Sequence, residues 1–294
     1  MFEGFRSQVM TVNGVGIQMR TKGSGAPVVL LHGYPQSGTC WHKVAPTLAE
    51  GYSVVVPDLR GYGASEKPAD DKAHTVYSKR TMALDVVQLM AALGHDRFAV
   101  VGHDRGGRVA YRLALDHPEV VTKLCTLDIV PTLDQFESLS SSRAAAIAGF
   151  HWYFLAQRAP LPERLVGSDP AFYLSELMGR WAGPGGAITT EAMAAYVDAF
   201  TPETIAATCA DYRAGATIDC ELDLADRTAG RMIRCPVHAL WGDRRSEPAN
   251  DALLQTWRRW TAADQPVTGR PVPGGHFIAE ELPDLLVEEL RFFL

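Results

Sequence analysis

Residues 98–107 read FAVVGHDRGG, an apolar β-branched run followed at once by a glycine-rich turn. Gly102 and Gly106 lie two positions before and two positions after Asp104, a spacing that lets a strand turn sharply into a helix with the central side chain exposed. The pattern is that of a nucleophile elbow, G-x-S-x-G, with Asp in place of Ser. An Asp that only caps a helix is the alternative. The strand-like run before it and the helical pattern of residues 108–116 after it favour the elbow.

Runs typical of buried parallel strands recur on both sides of this elbow. They cover residues 27–31, 52–56, 98–101, 121–127, 236–241 and 267–272. Helical patterns lie at residues 77–93 and 278–293, and Asn13-Gly14 within residues 8–22 predicts a β-hairpin. The alternation of strands and helices predicts an α/β fold with a mostly parallel central sheet, flanked by helices and joined by right-handed crossovers.

The pattern changes after Pro131. Residues 132–230 are rich in alanine and aromatic residues at helical spacing and contain no convincing strand. We therefore predict one α/β core, formed by residues 1–131 and 231–294, that is interrupted by a helical cap of residues 132–230.

Composition excludes several classes of function. The net charge is -6 and no run of Lys or Arg follows a phosphate backbone, so nucleic acid is not an expected partner. No stretch approaches the roughly 18 apolar residues of a membrane span, and residues 1–20 lack the pattern of a secretory signal. Cysteines are scattered without a C-x-x-C pair, which predicts reduced thiols in a cytoplasmic protein. No motif requires a metal or another cofactor.

An aspartate in the elbow has a chemical meaning. A serine that attacks a saturated carbon would form an ether, which water does not reopen under these conditions. A carboxylate that attacks the same carbon forms an ester whose carbonyl belongs to the enzyme, so water can attack that carbonyl and regenerate the aspartate. Asp104 therefore indicates displacement at saturated carbon, as in the opening of an epoxide or the loss of a halide.

The base for the second step is expected near the end of the chain. His276 follows the last predicted strand and precedes the last predicted helix, and its role would be to deprotonate water. Asp128 and Asp243 both follow strands and compete to orient it. We favour Asp128, because it lies between Leu127 and Ile129, where an unpaired carboxylate would be costly, whereas Asp243 fits a solvated loop.

Arg105 and Arg108 share one face of the helix that leaves the elbow. Two cations oppose the positive end of the helix dipole there, and an unexplained departure from such a rule tends to mark a functional position. An anion held between them would resolve the conflict, because guanidinium groups match a carboxylate in two-point geometry. The alternative is that both arginines pair with acids for structural reasons.

With these residues in place, the chain resembles the fluoroacetate dehalogenase (haloacetate dehalogenase) group of the α/β-hydrolases over nearly its whole length. The matching segments are HGYP at 32–35, DLRGYGAS at 58–65, the elbow with both arginines, Leu127-Asp128, HWY at 151–153 and GHF at 275–277. The first two are common to many hydrolases, including epoxide hydrolases. The pair of arginines together with His151-Trp152 is much more specific.

The resemblance implies a role for each matching residue of the reaction centre. Asp104 would be the nucleophile, His276 the base and Asp128 its partner, and the backbone N–H groups of Tyr34 and Arg105 would form the oxyanion hole.

The resemblance also implies a binding site for a small 2-halo carboxylate. Arg105 and Arg108 would hold the substrate carboxylate, and His151, Trp152 and Tyr212 the departing halide. From the residues alone, His151-Trp152 is better read as core aromatic packing. Members of this group are often dimers, so the resemblance also suggests a homodimer.

We therefore predict hydrolytic conversion of a haloacetate to glycolate and halide through an ester on Asp104, with fluoroacetate and chloroacetate both as candidate substrates. Two alternatives stay open. An epoxide hydrolase shares the Asp nucleophile but needs two cap tyrosines, and Tyr153, Tyr173, Tyr196 and Tyr212 are candidates. A non-catalytic ligand-binding protein on the same scaffold is disfavoured because nucleophile, base and acid are all present.

Overall fold

The computed structural model describes residues 1–186, 188–243 and 251–294. Within these residues one eight-stranded sheet has the order β1-β2-β4-β3-β5-β6-β7-β8. The strands are β1 (Arg6–Val12), β2 (Val15–Lys22), β3 (Ala26–Leu31), β4 (Tyr52–Pro57), β5 (Phe98–His103), β6 (Val121–Leu127), β7 (Val237–Gly242) and β8 (Val267–Val272). β2 pairs antiparallel with β1 and β4, and all other pairs are parallel. The predicted α/β fold is confirmed.

The hairpin of β1 and β2 forms where Asn13-Gly14 predicts it. Asn13 has φ 49° and Gly14 has φ 74°, so both central residues adopt the positive φ that a type I′ turn requires. The turn joins Val12 directly opposite Val15 in the ladder.

The apolar core lies on both faces of the sheet. Along β3, Val29 and Leu31 point into one cluster of buried side chains, whereas Val28 and Leu30 point into the other. This is the two-residue alternation of a strand, and burial on both faces explains why the run is continuously apolar in sequence.

Helices flank the sheet and fill the segment between β6 and β7. They are α1 (Ala45–Leu48), α2 (Lys79–Ala92), α3 (Arg105–Asp116), α4 (Thr132–Leu139), α5 (Arg143–Ala148), α6 (Phe150–Leu155), α7 (Leu161–Ser168), α8 (Pro170–Trp181), α9 (Thr190–Ala199), α10 (Pro202–Ala214), α11 (Cys220–Thr228), α12 (Asp251–Trp260), α13 (Ile278–Glu281) and α14 (Pro283–Phe293). A 3-10 helix at Gly38–Trp41 and a short π-helix at Gly215–Asp219 complete the described helical elements.

The prediction of a single helix at residues 278–293 is wrong, because the structure has two helices there, α13 and α14. Leu282 lies between them with φ -134° and ψ 52°, outside the helical region. Pro283 accounts for the break, since proline disfavours helical conformation in the residue before it.

Between β6 and β7 the described residues form helices and turns and contain no strand. The predicted boundaries of the cap stay a prediction, and residues 132–230 are called the cap below. One contact shows where the cap faces the core: the Tyr212 ring in α10 lies 5.2 Å from the ring of Tyr34, which follows β3 at its carboxyl end.

No helix of the described residues is long and apolar enough to cross a membrane. All five cysteines are unpaired, as predicted, and four of them are buried.

Candidate active site

Asp104 occupies the turn between β5 and α3. Its φ of 46° and ψ of -115° lie outside the regions that side-chain-bearing residues normally adopt, and such strain clusters at functional sites. Close backbone packing surrounds the turn: a Cβ on Gly102 would lie 2.5 Å from the Gly106 carbonyl oxygen, and one on Gly106 would lie 2.3 Å from the His32 carbonyl oxygen. Only glycine fits at these two positions, which explains the spacing of the elbow.

One oxygen of the Asp104 carboxylate is held by the backbone. The Tyr34 N–H donates to Asp104 Oδ1 at 2.8 Å. Arg105 is the first residue of α3, so its N–H belongs to the helix end that has no partner within the helix. These are the two backbone groups predicted for the oxyanion hole. Tyr34 lies next to the Asp104 carboxylate in space, and Arg105 follows Asp104 in sequence.

His276 lies between two carboxylates. Its Nδ1 is 2.5 Å from Asp128 Oδ2, and its Nε2 is 3.9 Å from Asp104 Oδ2. Asp128 Oδ1 accepts a hydrogen bond from the Gly242 N–H at 3.0 Å, which fixes the carboxylate. An Nδ1–H donated to Asp128 leaves Nε2 as the basic nitrogen on the side of Asp104.

Asp243, the competing acid, does not reach His276. Its side chain is exposed, and its backbone N–H donates to the Val272 carbonyl at 2.8 Å. The structure thus brings Asp128 to the histidine, in agreement with the preference drawn from sequence.

Both carboxylates next to His276 are ionised at neutral pH. Burial raises the pKa of Asp104, but the charges of His276, His103, Arg108 and Arg105 outweigh burial and lower it overall. Burial likewise opposes the charge of Asp128, and its hydrogen bond with His276 lowers the pKa overall. Asp104 is therefore available as a nucleophile.

The two arginines differ in their partners. Arg105 binds the Asp211 carboxylate side-on, with Nε 3.1 Å from Oδ2 and Nη2 2.5 Å from Oδ1. Arg108 donates from Nη1 to the Val130 carbonyl at 2.8 Å, and in the described part of the chain no carboxylate forms an ion pair with it. The alternative that the arginines pair with acids for structural reasons therefore holds for Arg105. It does not explain why a cation is buried at Arg108.

Each guanidinium keeps one buried N–H group without a partner. These are Nη1 of Arg105 and Nε of Arg108. Both guanidinium carbons lie over the Trp152 ring, at 5.2 Å for Arg105 and 4.4 Å for Arg108. A buried donor left unsatisfied costs about 1–3 kcal/mol. Burial and the neighbouring Arg105 lower the pKa of Arg108, so an anion bound between them would stabilise both groups.

His151, Trp152 and Tyr212 are brought together beside these arginines. The Tyr212 ring lies 5.5 Å from that of Trp152 and 5.9 Å from that of His151. His151 Nδ1 is buried without a hydrogen-bond partner, and burial lowers the pKa of His151 to about 3, so its ring is neutral. The three side chains are packed as core aromatics are, with every pair of ring centroids within 6.1 Å.

Sequence reasoning missed Trp181, Asp211 and His103. The Trp181 ring lies 4.5 Å from His151 and 5.5 Å from His276, and its carbonyl accepts from the His276 N–H at 2.9 Å. The His103 ring lies 4.5 Å from that of His276. A tryptophan at the end of a cap helix and a histidine just before Asp104 were the only signals, and neither has a distinctive spacing.

Known proteins share this architecture. A profile of the α/β hydrolase fold matches residues 26–281. A fluoroacetate dehalogenase of Burkholderia sp. is 43% identical over 296 positions, which cover 100% of this chain and 95% of that enzyme. A soluble epoxide hydrolase of Corynebacterium sp. (strain C12) is 36% identical over 287 positions, 96% of this chain and 95% of that enzyme.

Among solved structures, a Nostoc sp. PCC 7120 protein assigned to the α/β hydrolases superposes with a TM-score of 0.94. It is 44% identical and covers 100% of this chain and 99% of its own. The resemblance drawn from sequence is thereby confirmed. The chain belongs to the α/β-hydrolase fold family and is a hydrolase similar to both fluoroacetate dehalogenases and epoxide hydrolases.

Proposed function

We propose that the protein is a haloacetate dehalogenase, which converts fluoroacetate or chloroacetate to glycolate and halide through an ester on Asp104. The observation that carries this proposal is the pair of unpartnered guanidinium N–H groups, Arg105 Nη1 and Arg108 Nε, in the first turn of the helix that follows Asp104. A carboxylate accepting from both would place the next carbon of the substrate, which bears the halogen, toward Asp104. The similarity to a fluoroacetate dehalogenase supports the same substrate class.

In the first step, an Asp104 oxygen forms a bond to the substrate carbon while the carbon–halogen bond breaks and the halide leaves with the electron pair. Tyr34 N–H holds Oδ1, which leaves Oδ2 as the attacking oxygen. Trp152, Tyr212 and neutral His151 supply N–H and O–H donors for the charge that develops on the halide. Because an ionised carboxylate needs no activation, no base takes part in this step.

In the second step, water hydrolyses the ester. His276 Nε2 takes a proton from water, and Asp128 stabilises the imidazolium that forms. The hydroxide attacks the Asp104 carbonyl carbon, and the N–H groups of Tyr34 and Arg105 stabilise the resulting oxyanion. As this intermediate collapses, the His276 imidazolium gives its proton to the oxygen of the leaving glycolate, and the carboxylic acid formed on Asp104 loses its proton to solvent, which restores the carboxylate. The 3.9 Å between His276 Nε2 and Asp104 Oδ2 keeps the base close to the ester.

An epoxide hydrolase is the second candidate, favoured by the similarity to the Corynebacterium enzyme. Three of the four candidate tyrosines have hydrogen-bond partners: Tyr153 bonds Ser140, Tyr196 bonds Glu280, and Tyr173 accepts from the Tyr34 hydroxyl at 3.2 Å. Because Tyr173 only accepts in that bond, its own O–H and that of Tyr212 are left to protonate a ring oxygen. Two buried arginines with unsatisfied donors fit a neutral epoxide poorly, which is why the dehalogenase is preferred.

The proposed function predicts release of halide and glycolate in equal amounts from fluoroacetate, chloroacetate or both. Asp104→Asn preserves side-chain shape but removes the nucleophile, so release should fall by about 10³-fold or more. Ion chromatography of both products measures this. Styrene oxide is assayed in parallel: its hydrolysis without any halide release would replace the dehalogenase by the epoxide hydrolase, and inactivity on all three would contradict both.

Asp128 and Asp243 offer a matched pair of variants. Asp128→Asn leaves His276 without an anionic partner, so we expect kcat on chloroacetate to fall by about 10³-fold. Asp243→Asn changes an exposed side chain and should leave kcat within about twofold. Steady-state kinetics of the two variants checks this, and equal losses in both would remove Asp128 from the proposed role.

A further inference from the structure

Behind Arg105 lies a buried cluster of charges that the proposed reaction does not use directly. Asp211, on α10 of the cap, accepts hydrogen bonds from Arg105, from the Tyr62 hydroxyl at 2.6 Å and from the ammonium group of Lys79. The cluster joins the cap to three core residues and has essentially no exposure to solvent. Asp211 also directly precedes Tyr212, one of the halide donors proposed above.

Lys79 is the shared partner of two acids. It is the first residue of α2, and its ammonium bonds Asp211 Oδ1 and lies 3.6 Å from Asp219 Oδ2. The Lys79 backbone N–H also donates to Asp219 Oδ1 at 2.8 Å. Burial and the charge of Arg105 lower the pKa of Lys79, while Asp211 and Asp219 oppose that decrease. The two carboxylates thus favour the charged form of the lysine, against burial.

The charges of these four residues balance. Arg105 and Lys79 are positive, and Asp211 and Asp219 are negative, so together they are neutral. Without Lys79, the same group would be net negative next to the site proposed for the substrate carboxylate. Because buried charges are weakly screened, that excess would repel an anionic ligand even though it does not touch it.

We propose that Lys79 is a positioning residue for carboxylate recognition: by sharing Asp211 with Arg105, it keeps the Arg105 guanidinium oriented by the acid but available to the substrate anion. Asp211 then sets the orientation of Arg105 and leaves Nη1 without a protein partner. Lys79 offsets the negative charge of Asp211. This inference rests on the proposed function for the identity of the ligand, a small carboxylate. It assigns a role to a residue that lies behind the site rather than in it.

The test measures binding, so it does not depend on turnover. Calorimetry gives the Kd of glycolate, which carries the carboxylate, and of glycolamide, its neutral counterpart. Lys79→Met should weaken glycolate binding by about tenfold and leave glycolamide binding within about twofold, because one charge is lost behind the site. Lys79→Arg should retain glycolate binding.

A variant at Asp219 supplies a control that changes the net charge of the cluster in the opposite direction. Asp219→Asn keeps an oxygen for the Lys79 N–H but removes one negative charge, so glycolate should bind more tightly than to the wild type. The double variant Lys79→Met/Asp219→Asn restores neutrality and should bind glycolate within about twofold of the wild type. A purely structural role of Lys79 predicts no such recovery. Because Asp219→Asn preserves the ion pairs of Asp211, it stays informative even if Lys79→Met fails to fold.

Each outcome separates the two proposals. Equal loss for both ligands, no recovery in the double variant, or no measurable glycolate binding by the wild type would overturn the role of Lys79. If the wild type releases no halide but glycolate binding follows the charge pattern, the role of Lys79 stands and the dehalogenase assignment fails. If the wild type releases halide but glycolate binding does not depend on the charge of the cluster, the dehalogenase assignment stands and the role of Lys79 fails.

Discussion

Replacement of His276 by Asn should stop the enzyme halfway, with the substrate bound covalently to Asp104. The first step needs only the ionised Asp104 carboxylate, whose pKa is lowered in the folded protein, so the ester still forms. Hydrolysis loses its base, and we expect turnover to fall by about 10³-fold. Intact-protein mass spectrometry after addition of chloroacetate should show one added carboxymethyl group, and peptide mapping should place it on Asp104.

A histidine at the far end of α3, the helix that begins after Asp104, provides the control. His117 is the C-cap residue of α3 and is partly exposed, so His117→Asn should turn over normally and accumulate no adduct. An inactive His276→Asn protein that carries no adduct would show that the histidine is needed before the ester forms, and the two-step scheme would then be wrong.

The second large effect is expected at Arg108. Arg108→Met keeps an unbranched side chain against the Trp152 ring, on which the guanidinium now lies at 4.4 Å, but removes the charge. We expect kcat/KM for chloroacetate to fall by about 10²- to 10³-fold, since a buried charge partner of the substrate is lost. Chloroacetamide, which lacks the negative charge, should lose far less.

The variants Arg108→Met and Arg105→Met should differ in their effect on the stability of the fold. Arg108 has no ion-pair partner in the described part of the chain, so Arg108→Met leaves no acid stranded and the Tm should stay near that of the wild type. Arg105→Met removes a partner of buried Asp211, and breaking such a pair costs about 3–5 kcal/mol. An unchanged kcat/KM for chloroacetate in Arg108→Met would exclude Arg108 from carboxylate binding.

The residues of the proposed reaction centre could be predicted from sequence because their signals are local. The elbow, the Asp at the end of β6 and the histidine before the last helices each follow a strand, and parallel strands bring their carboxyl ends to one edge of a sheet. Spacing within ten residues, together with chain order, was therefore enough to predict Asp104, Asp128 and His276. The break before Pro283 follows an equally local rule, the effect of a proline on the residue that precedes it.

The cap contacts were not accessible in the same way. Arg105 and Asp211 are 106 positions apart in sequence, and no periodicity of either segment indicates which acid of the cap meets which base of the core. Trp181 depends likewise on how α8 docks against the loop that carries His276. These positions are decided by packing between segments whose relative placement the hydrophobic pattern leaves undetermined, so only the folded structure identifies them.

The backbone of Asp104 has a consequence for how this protein can change over evolutionary time. Glycine adopts such a conformation more easily than aspartate does, and a strained residue of this kind costs on the order of 1–3 kcal/mol. A mutation of Asp104 to glycine would relax the turn and make the chain more stable, and it would also remove the proposed nucleophile. Selection for robustness and selection for chemistry therefore oppose each other at this one position. Stabilising changes that preserve activity must accumulate elsewhere, while the close-packed glycines around the turn stay fixed.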